Sequence, residues 1–252
     1  MKNYKLSGII SVAVMGLALM NFASCSEKKF KVNGTITQAK DSILYLENMS
    51  LSGPRTVDSV KLDESGNFEF SYKAAPAPEF YRLRIANQIV NIGVDSTETI
   101  NVKAAYPTMS SNYEVSGSEE CAKIRELAYM QLALQNKVTA IANSNSLGVA
   151  AVEDSVAKVL DVYKNKVKMD YIFKEPMKAY AYYALFQTVQ LGNANMLIFN
   201  PRSNKEDVKV FAAVATSWDT YFPEAERGLN LHNIAIEGMK NVRIAENNAR
   251  QT

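Results

Sequence analysis

Two periodicities divide the chain. From Phe30 to Ser116 apolar and polar residues alternate with period two, in short runs separated by turn residues. Phe30-Lys31-Val32 and Gly34-Thr35-Ile36 open the series, and Ile43-Leu44-Tyr45-Leu46 follows. After Ser52-Gly53-Pro54 comes Val57-Asp58-Ser59-Val60-Lys61-Leu62, where Asp63-Glu64-Ser65-Gly66 reads as a hairpin turn into Asn67-Phe68-Glu69-Phe70-Ser71-Tyr72. Pro76 and Pro78 interrupt the chain before Phe80-Tyr81-Arg82-Leu83-Arg84-Ile85, and Ile89 to Val94 and Ile100 to Val102 complete seven or eight strands. Strands this short and this regular predict an antiparallel sandwich.

Past Ser118 the period becomes helical. Ile124, Leu127, Leu134, Val138 and Ile141 fall at three-and-four spacing, with Gln131 interrupting the stripe. Val152, Val156, Val159, Leu160, Tyr163 and Val167 mark a second helix, which Pro176 ends or kinks. Met177 to Leu191 predicts a third, rich in aromatic residues, and Phe199 to Ser203 a loop and helix start. Val208, Phe211, Ala215, Trp218 and Phe222 stripe a fourth helix stopped by Pro223; Leu231, Ile234, Ala235, Gly238 and Val242 stripe a fifth. The predicted fold class is therefore α+β in two parts. An N-terminal antiparallel β-sandwich at residues 30–117 is followed by an all-helical domain at 118–248 and a polar tail at 249–252.

The N-terminal segment obeys neither period. Lys2 and Lys5 precede an apolar stretch from Leu6 to Met20, too short and too interrupted for a comfortable membrane span. Phe22-Ala23-Ser24-Cys25 then resembles the bacterial lipobox, whose cysteine is acylated and becomes the first residue of the mature chain. Residues 1–24 are accordingly predicted to be a lipoprotein signal peptide, Cys25 the lipidation site and residues 25–29 a short anchor linker. Removing the first 24 of 252 residues leaves 228, enough for one or two domains. The expected location is the cell envelope, membrane-anchored, with the outer membrane facing the periplasm favoured.

Charge and composition narrow the chemistry. Of 28 Lys and Arg against 26 Asp and Glu, Lys2 and Lys5 belong to the leader, so the remainder is balanced and carries no polybasic footprint for nucleic acid. One His and two Cys leave no ligand set for zinc, haem or an iron–sulfur centre, and no cofactor is expected. His232, the lone histidine, lies on an amphipathic helix with no G-x-S-x-G motif in the chain, so a hydrolytic triad is not expected. Asp95-Ser96-Thr97-Glu98 reads as a turn between strands, and Glu119-Glu120 as helix-start charge behind an N-cap at Ser118. Cys121 reads as a quiet, half-buried thiol whose two neighbouring carboxylates oppose acidification.

Gly34-Thr35-Ile36, Leu44-Tyr45-Leu46, Val57-Asp58-Ser59-Val60, Gly66-Asn67-Phe68-Glu69-Phe70, Phe80-Tyr81-Arg82-Leu83 and Val115-Ser116-Gly117-Ser118 occur in that order. Together they resemble the Bacteroidetes-type lipoprotein domain of unknown function, domain-of-unknown-function family 4369. There the domain usually precedes a helical spacer and then a TlpA/AhpC-type thioredoxin-like domain. The resemblance covers about residues 30 to 120 well and the helical part loosely. It implies a thioredoxin-associated setting, but no Cys-x-x-Cys occurs, the thioredoxin-like part is read as absent, and there is no catalytic residue to carry over.

Two further sets of residues stand out. Tyr180, Tyr182, Tyr183 and Phe186 span more than one face of a helix, which makes them a candidate contact surface, with core packing as the alternative. Asp precedes Ser42, Ser59, Ser96 and Ser155, each followed by a β-branched residue, which resembles an Asp-Ser/Thr-apolar O-glycosylation signal; the alternative is that Asp-Ser marks strand and helix starts. The functional expectation is a non-catalytic binding or scaffolding module with an envelope protein as candidate partner. An accessory or truncated member of a thiol–disulfide oxidoreductase system is the alternative, and a carbohydrate-contacting module a weaker one.

Overall fold

The computed structural model describes residues 27–146, 148–202 and 204–250; the signal segment and Cys25 lie outside them. Eight strands come first: β1 (Lys29–Thr37), β2 (Ile43–Ser50), β3 (Gly53–Lys61), β4 (Asn67–Lys73), β5 (Glu79–Ile85), β6 (Gln88–Val94), β7 (Thr99–Ala105) and β8 (Tyr113–Ser116). They form two four-stranded sheets, ordered β4-β1-β7-β8 and β3-β2-β5-β6. The period-two pattern explains the shared core. Phe30, Val32 and Ile36 of β1 with Ile100 and Val102 of β7 pack in one cluster with Leu44 and Leu46 of β2 and Leu83 and Ile85 of β5.

The two-part α+β plan predicted by the pattern is the plan observed, with two details of strand pairing that the pattern does not carry. The Asp63–Gly66 turn is present, with Asp63 Oδ1 accepting from the Ser65 and Gly66 amides, but it does not close a hairpin. β3 pairs with β2 while β4 pairs with β1, so the turn carries the chain from one sheet to the other. Within the first sheet β1 and β7 run parallel, Val32 opposite Ile100. Gly34 makes that approach feasible: at φ +150° its α-carbon lies so near Val102 that an added Cβ would sit 1.7 Å from the Val102 carbonyl oxygen.

The second half contains α1 (Glu119–Ala142), α2 (Val149–Val167) continued by a π-helical turn over Lys168–Ile172, α3 (Ala179–Leu185), α4 (Lys205–Tyr221) and α5 (Glu226–Ala249). Ser118 caps α1 as expected, its side chain accepting from the Cys121 amide, and Asn204 caps α4 in the same way through Asp207. The third helix is shorter than predicted. α3 ends at Leu185, and the chain continues as β9 (Thr188–Leu191) and β10 (Ala194–Leu197), an antiparallel pair turning at Gly192 with φ +57°. Thr188-Val189-Gln190-Leu191 before a Gly-Asn turn satisfies a strand pattern as well as a helical one, and the turn decides between them. α5 in turn runs on to Ala249, so residue 249 of the expected polar tail is helical.

Candidate binding cleft between the two halves

The cleft begins with the second sheet. Alternation on β5 sends Tyr81, Leu83 and Ile85 into the sandwich and Phe80, Arg82 and Arg84 to the outer face. Phe80 accordingly belongs to the core of the helical half. On that outer face Glu47 of β2 is buried between two guanidinium groups, with Arg82 Nε 2.6 Å from Oε2 and Arg84 Nε 2.9 Å from Oε1. The Arg84 hydrogen bond, helped by Arg82, holds the Glu47 carboxyl below its ordinary range despite burial. Arg84 also lies over the Tyr45 ring at 4.5 Å.

At β6 the outer face is small. Gly93 leaves room for α1, whose Ile124 Cδ1 would be only 2.6 Å from an added Cβ there. Cys121 of the same helix donates its thiol to the Gly93 carbonyl at 3.2 Å. That thiol is 1% exposed rather than half-buried, and burial, not the adjacent carboxylates, is the main reason its pKa is pushed up to about 12. Glu120 likewise departs from a solvated helix-start charge. It is buried, its Oε2 accepts from the Tyr180 amide at 3.1 Å, its Oε1 lies 3.2 Å from Lys178 Nζ, and desolvation raises its pKa.

Arg227, in the first turn of α5, ties the halves together. Its Nε and Nη2 donate to the Glu79 carboxylate at 3.1 and 3.0 Å, and Nη2 also donates to the Met49 carbonyl. The guanidinium lies 4.9 Å from the Phe80 ring centre and 5.6 Å from that of Tyr182. Tyr182 in turn packs against Phe80, Phe186 and Trp218 at centroid distances of 5.2, 4.9 and 5.0 Å. A charged residue four positions before Leu231, on the buried stripe of an amphipathic helix, is the signal that could have marked Arg227 from sequence.

Between these contacts runs an open seam of about 810 Å³. Arg82, Ile89 and Asn91 line it from the sheet, and Gln131, Tyr183, Phe186, Asn195 and Asn230 from the helical side. A second cavity of about 510 Å³ continues it past Ser110 and Gln135, sharing Asn91, Gln131, Tyr183 and Asn195. Among the described residues no Asp or Glu lines either one. The lining is amide, hydroxyl, aromatic and aliphatic, with the two cations, Arg82 and Arg227, each already paired to a carboxylate. Asn91 Nδ2 donates to the Tyr183 hydroxyl at 3.1 Å, which leaves that hydroxyl's own proton free for the cleft; burial keeps it protonated, with a pKa raised to about 12. Such a surface can hydrogen-bond and stack, and it offers no acid–base pair for proton transfer.

Glutamines fix the far wall. Gln187 is buried, donating to the Leu127 carbonyl and to Gln131 Oε1 and accepting from the Tyr163 hydroxyl. Gln131 and Gln135, one helical turn apart on α1, then act as a pairing strand for β9. They donate to the Thr188 and Gln190 carbonyls at 2.7 and 3.1 Å, and Gln135 Oε1 accepts from the Gln190 amide at 2.8 Å. Gln131 interrupts the apolar stripe of α1 for this reason.

The aromatic set singled out from sequence is divided by the structure. Tyr180 and Tyr182 are buried, with the Tyr180 hydroxyl donating to Glu175, whereas Tyr183 and Phe186 are half-buried and line the cleft. The four serines are scattered. Ser59 is exposed in the middle of edge strand β3, Ser96 exposed in the β6–β7 turn, Ser42 half-buried in the turn before β2, and Ser155 half-buried within α2. In the β6–β7 turn Glu98 accepts from the Asp95 and Ser96 amides, a self-closed loop. His232 Nδ1 lies 2.9 Å from Asp219 on the surface, away from the cleft lining. Among the described residues no helix is long and apolar enough to cross a membrane.

None of the curated proteins matches the chain. Among solved structures, a 9R-lipoxygenase from Cyanothece PCC8801 is 13% identical over 57% of this chain and 27% of its own, with a TM-score of 0.21. A likeness that low carries no argument about fold or activity. Residues 30–123 match a family described as a domain of unknown function, DUF4369. That segment takes in all eight strands of the sandwich from Phe30 onward and the first turn of α1, so the match to DUF4369 covers the sandwich half of this chain.

Proposed function

We propose that the protein is a lipid-anchored envelope component that binds a partner or ligand in the cleft between its two halves and carries out no chemistry on it. The observation that carries this reading is the cleft itself: some 810 Å³ of amide, hydroxyl and aromatic lining without one carboxylate. Its walls come from both halves, and its polar groups are held by neighbours in the same lining, as Asn91 is by Tyr183 and Gln131 by Thr188. Such groups present fixed donors and acceptors at low ordering cost. The anchor would be Cys25, since residues of its lipobox precede the described chain and Cys121 is buried.

The test is site-specific photocrosslinking in intact cells. A photoreactive phenylalanine in place of Tyr183, in the cleft, is compared with one in place of Val162, exposed on α2. Adduct formation at 183 and not at 162 supports binding at the cleft; equal labelling, or none at 183, contradicts it. Cys25→Ala tests the anchor separately, with release of the protein from the membrane fraction as the expected outcome.

A further inference from the structure

The hairpin β9–β10 has two edges, and only one is covered. On β9 the backbone of Thr188 and Gln190 turns away from β10 and meets Gln131 and Gln135 of α1. In an antiparallel pair, residues alternate between bonding inward and outward. The register places Leu197 opposite Thr188 and Asn195 opposite Gln190, and the Ile198 amide bonds inward to the Gln187 carbonyl. Asn195 and Leu197 therefore direct their amide and carbonyl groups to the outer edge of β10, where they meet no partner among the described residues.

This edge lacks the usual protection. Ala194-Asn195-Met196-Leu197 contains no charge and no proline, and all four residues are exposed. It also joins the cavities. Asn195 lines the seam and its continuation, while Met196 and Leu197 line a third cavity of about 450 Å³ with Phe186, Phe211 and Ile234. A strand added along β10 would thus have the neutral polar seam at one end and, at the other, a recess of aromatic and aliphatic side chains that the exposed Arg202 and Glu237 also line.

We infer that the occupant of the cleft is an extended peptide segment of a partner protein, which pairs with the free edge of β10 as a third strand. The inference rests on the binding reading above. Backbone groups of Asn195 and Leu197 supply the sequence-independent bonds, and the cavities on either side select side chains: neutral polar toward Asn195, large apolar toward Met196 and Leu197. Four strand residues span roughly 13 Å, so about four to six peptide residues are engaged. The absence of carboxylates among the described residues of the seam and the prior pairing of both its arginines favour uncharged residues in the part of the segment that lies there.

The test uses the purified full chain in mild detergent. A displayed library of nine-residue linear peptides is selected on it, and the recovered sequence is synthesised in two forms, unmodified and N-methylated at alternate residues. The unmodified peptide should bind, and one of the two N-methylation registers should weaken binding at least tenfold, since it removes edge hydrogen bonds without altering the protein. Asn195→Pro should weaken binding by a similar factor and leave the hairpin intact, because that amide is not bonded to β9. Failure to select any peptide, or binding indifferent to both N-methylation registers, overturns the inference. So does concentration-dependent self-association abolished by Asn195→Pro, which would make the occupant a second copy. A crosslinked adduct at position 183 that contains no peptide would keep the binding reading and remove this one.

Discussion

At the scale of single residues the structure makes the thiol inert and one carboxylate indispensable. Cys121 donates to the Gly93 carbonyl inside a packed interface, and burial pushes its pKa to about 12. In a Cys25→Ala chain it is the sole thiol, and it should resist a disulfide reagent at pH 8 for as long as the protein is folded, then react fully in denaturant. Prompt reaction in the folded state would contradict this placement and revive the redox alternative. Glu47 is the converse case, a buried acid held charged by Arg84 and Arg82. Its folded pKa lies below the ordinary value, so its stabilisation is complete above the ordinary range and fades as pH falls toward the folded value. Glu47→Gln should cost roughly 1.5–3 kcal/mol at pH 7, and the difference from wild type should shrink below about pH 4. A pH-independent difference in urea melts would refute the assignment. The sequence marks Cys121 as a quiet thiol but not as a fully buried one, and it carries no sign of Glu47's burial. Glu119 and Glu120 are adjacent acids on paper, yet only Glu120 is buried, and nothing local says which.

Elements were legible where their pattern is local and obscure where pairing is not. Alternation at Asn67–Tyr72 and Phe80–Ile85 marks strands whichever neighbours they take, and the stripes of α1, α4 and α5 are set by side chains one turn apart. The parallel pairing of β1 with β7 joins residues nearly seventy positions apart and leaves no periodic trace, except that Gly34 has no Cβ where one would strike Val102. Gly34→Ala should therefore cost at least about 3 kcal/mol or prevent folding, because backbone cannot move aside as a side chain can. A change below 1 kcal/mol in denaturant unfolding would show that the parallel approach is looser than described. The hairpin β9–β10 was obscured for another reason: its strand pattern directly follows the aromatic run of α3, and a helical reading absorbs both. Tyr183 and Phe186 were thus recognised as residues of interest, while Asn195 across the cleft was not.

For the whole molecule the question is whether sandwich and helices act as one body. Arg227, 6% exposed, joins α5 to Glu79 and Met49 and lies against the stacked rings of Phe80 and Tyr182, so the ion pair has few ways to rearrange. Arg227→Ala should cost about 1.5–3 kcal/mol, since it removes the charged hydrogen bonds to Glu79 and leaves that half-buried carboxylate with Asn48 alone. It should also split a single calorimetric transition into two, with the emission of Trp218, the only tryptophan, following the helical one. A single transition at unchanged temperature would mean that the halves are joined elsewhere.

The claim that the seam is the binding site is tested most directly by hydrogen–deuterium exchange on protein isolated gently from its own envelope, compared with the same protein stripped by unfolding and refolded. Stripping should raise exchange at residues 188–197 and 82–91 and leave the exposed faces of α2 and α5 unchanged. Protection lost from those helix faces, with the seam unaltered, would contradict it.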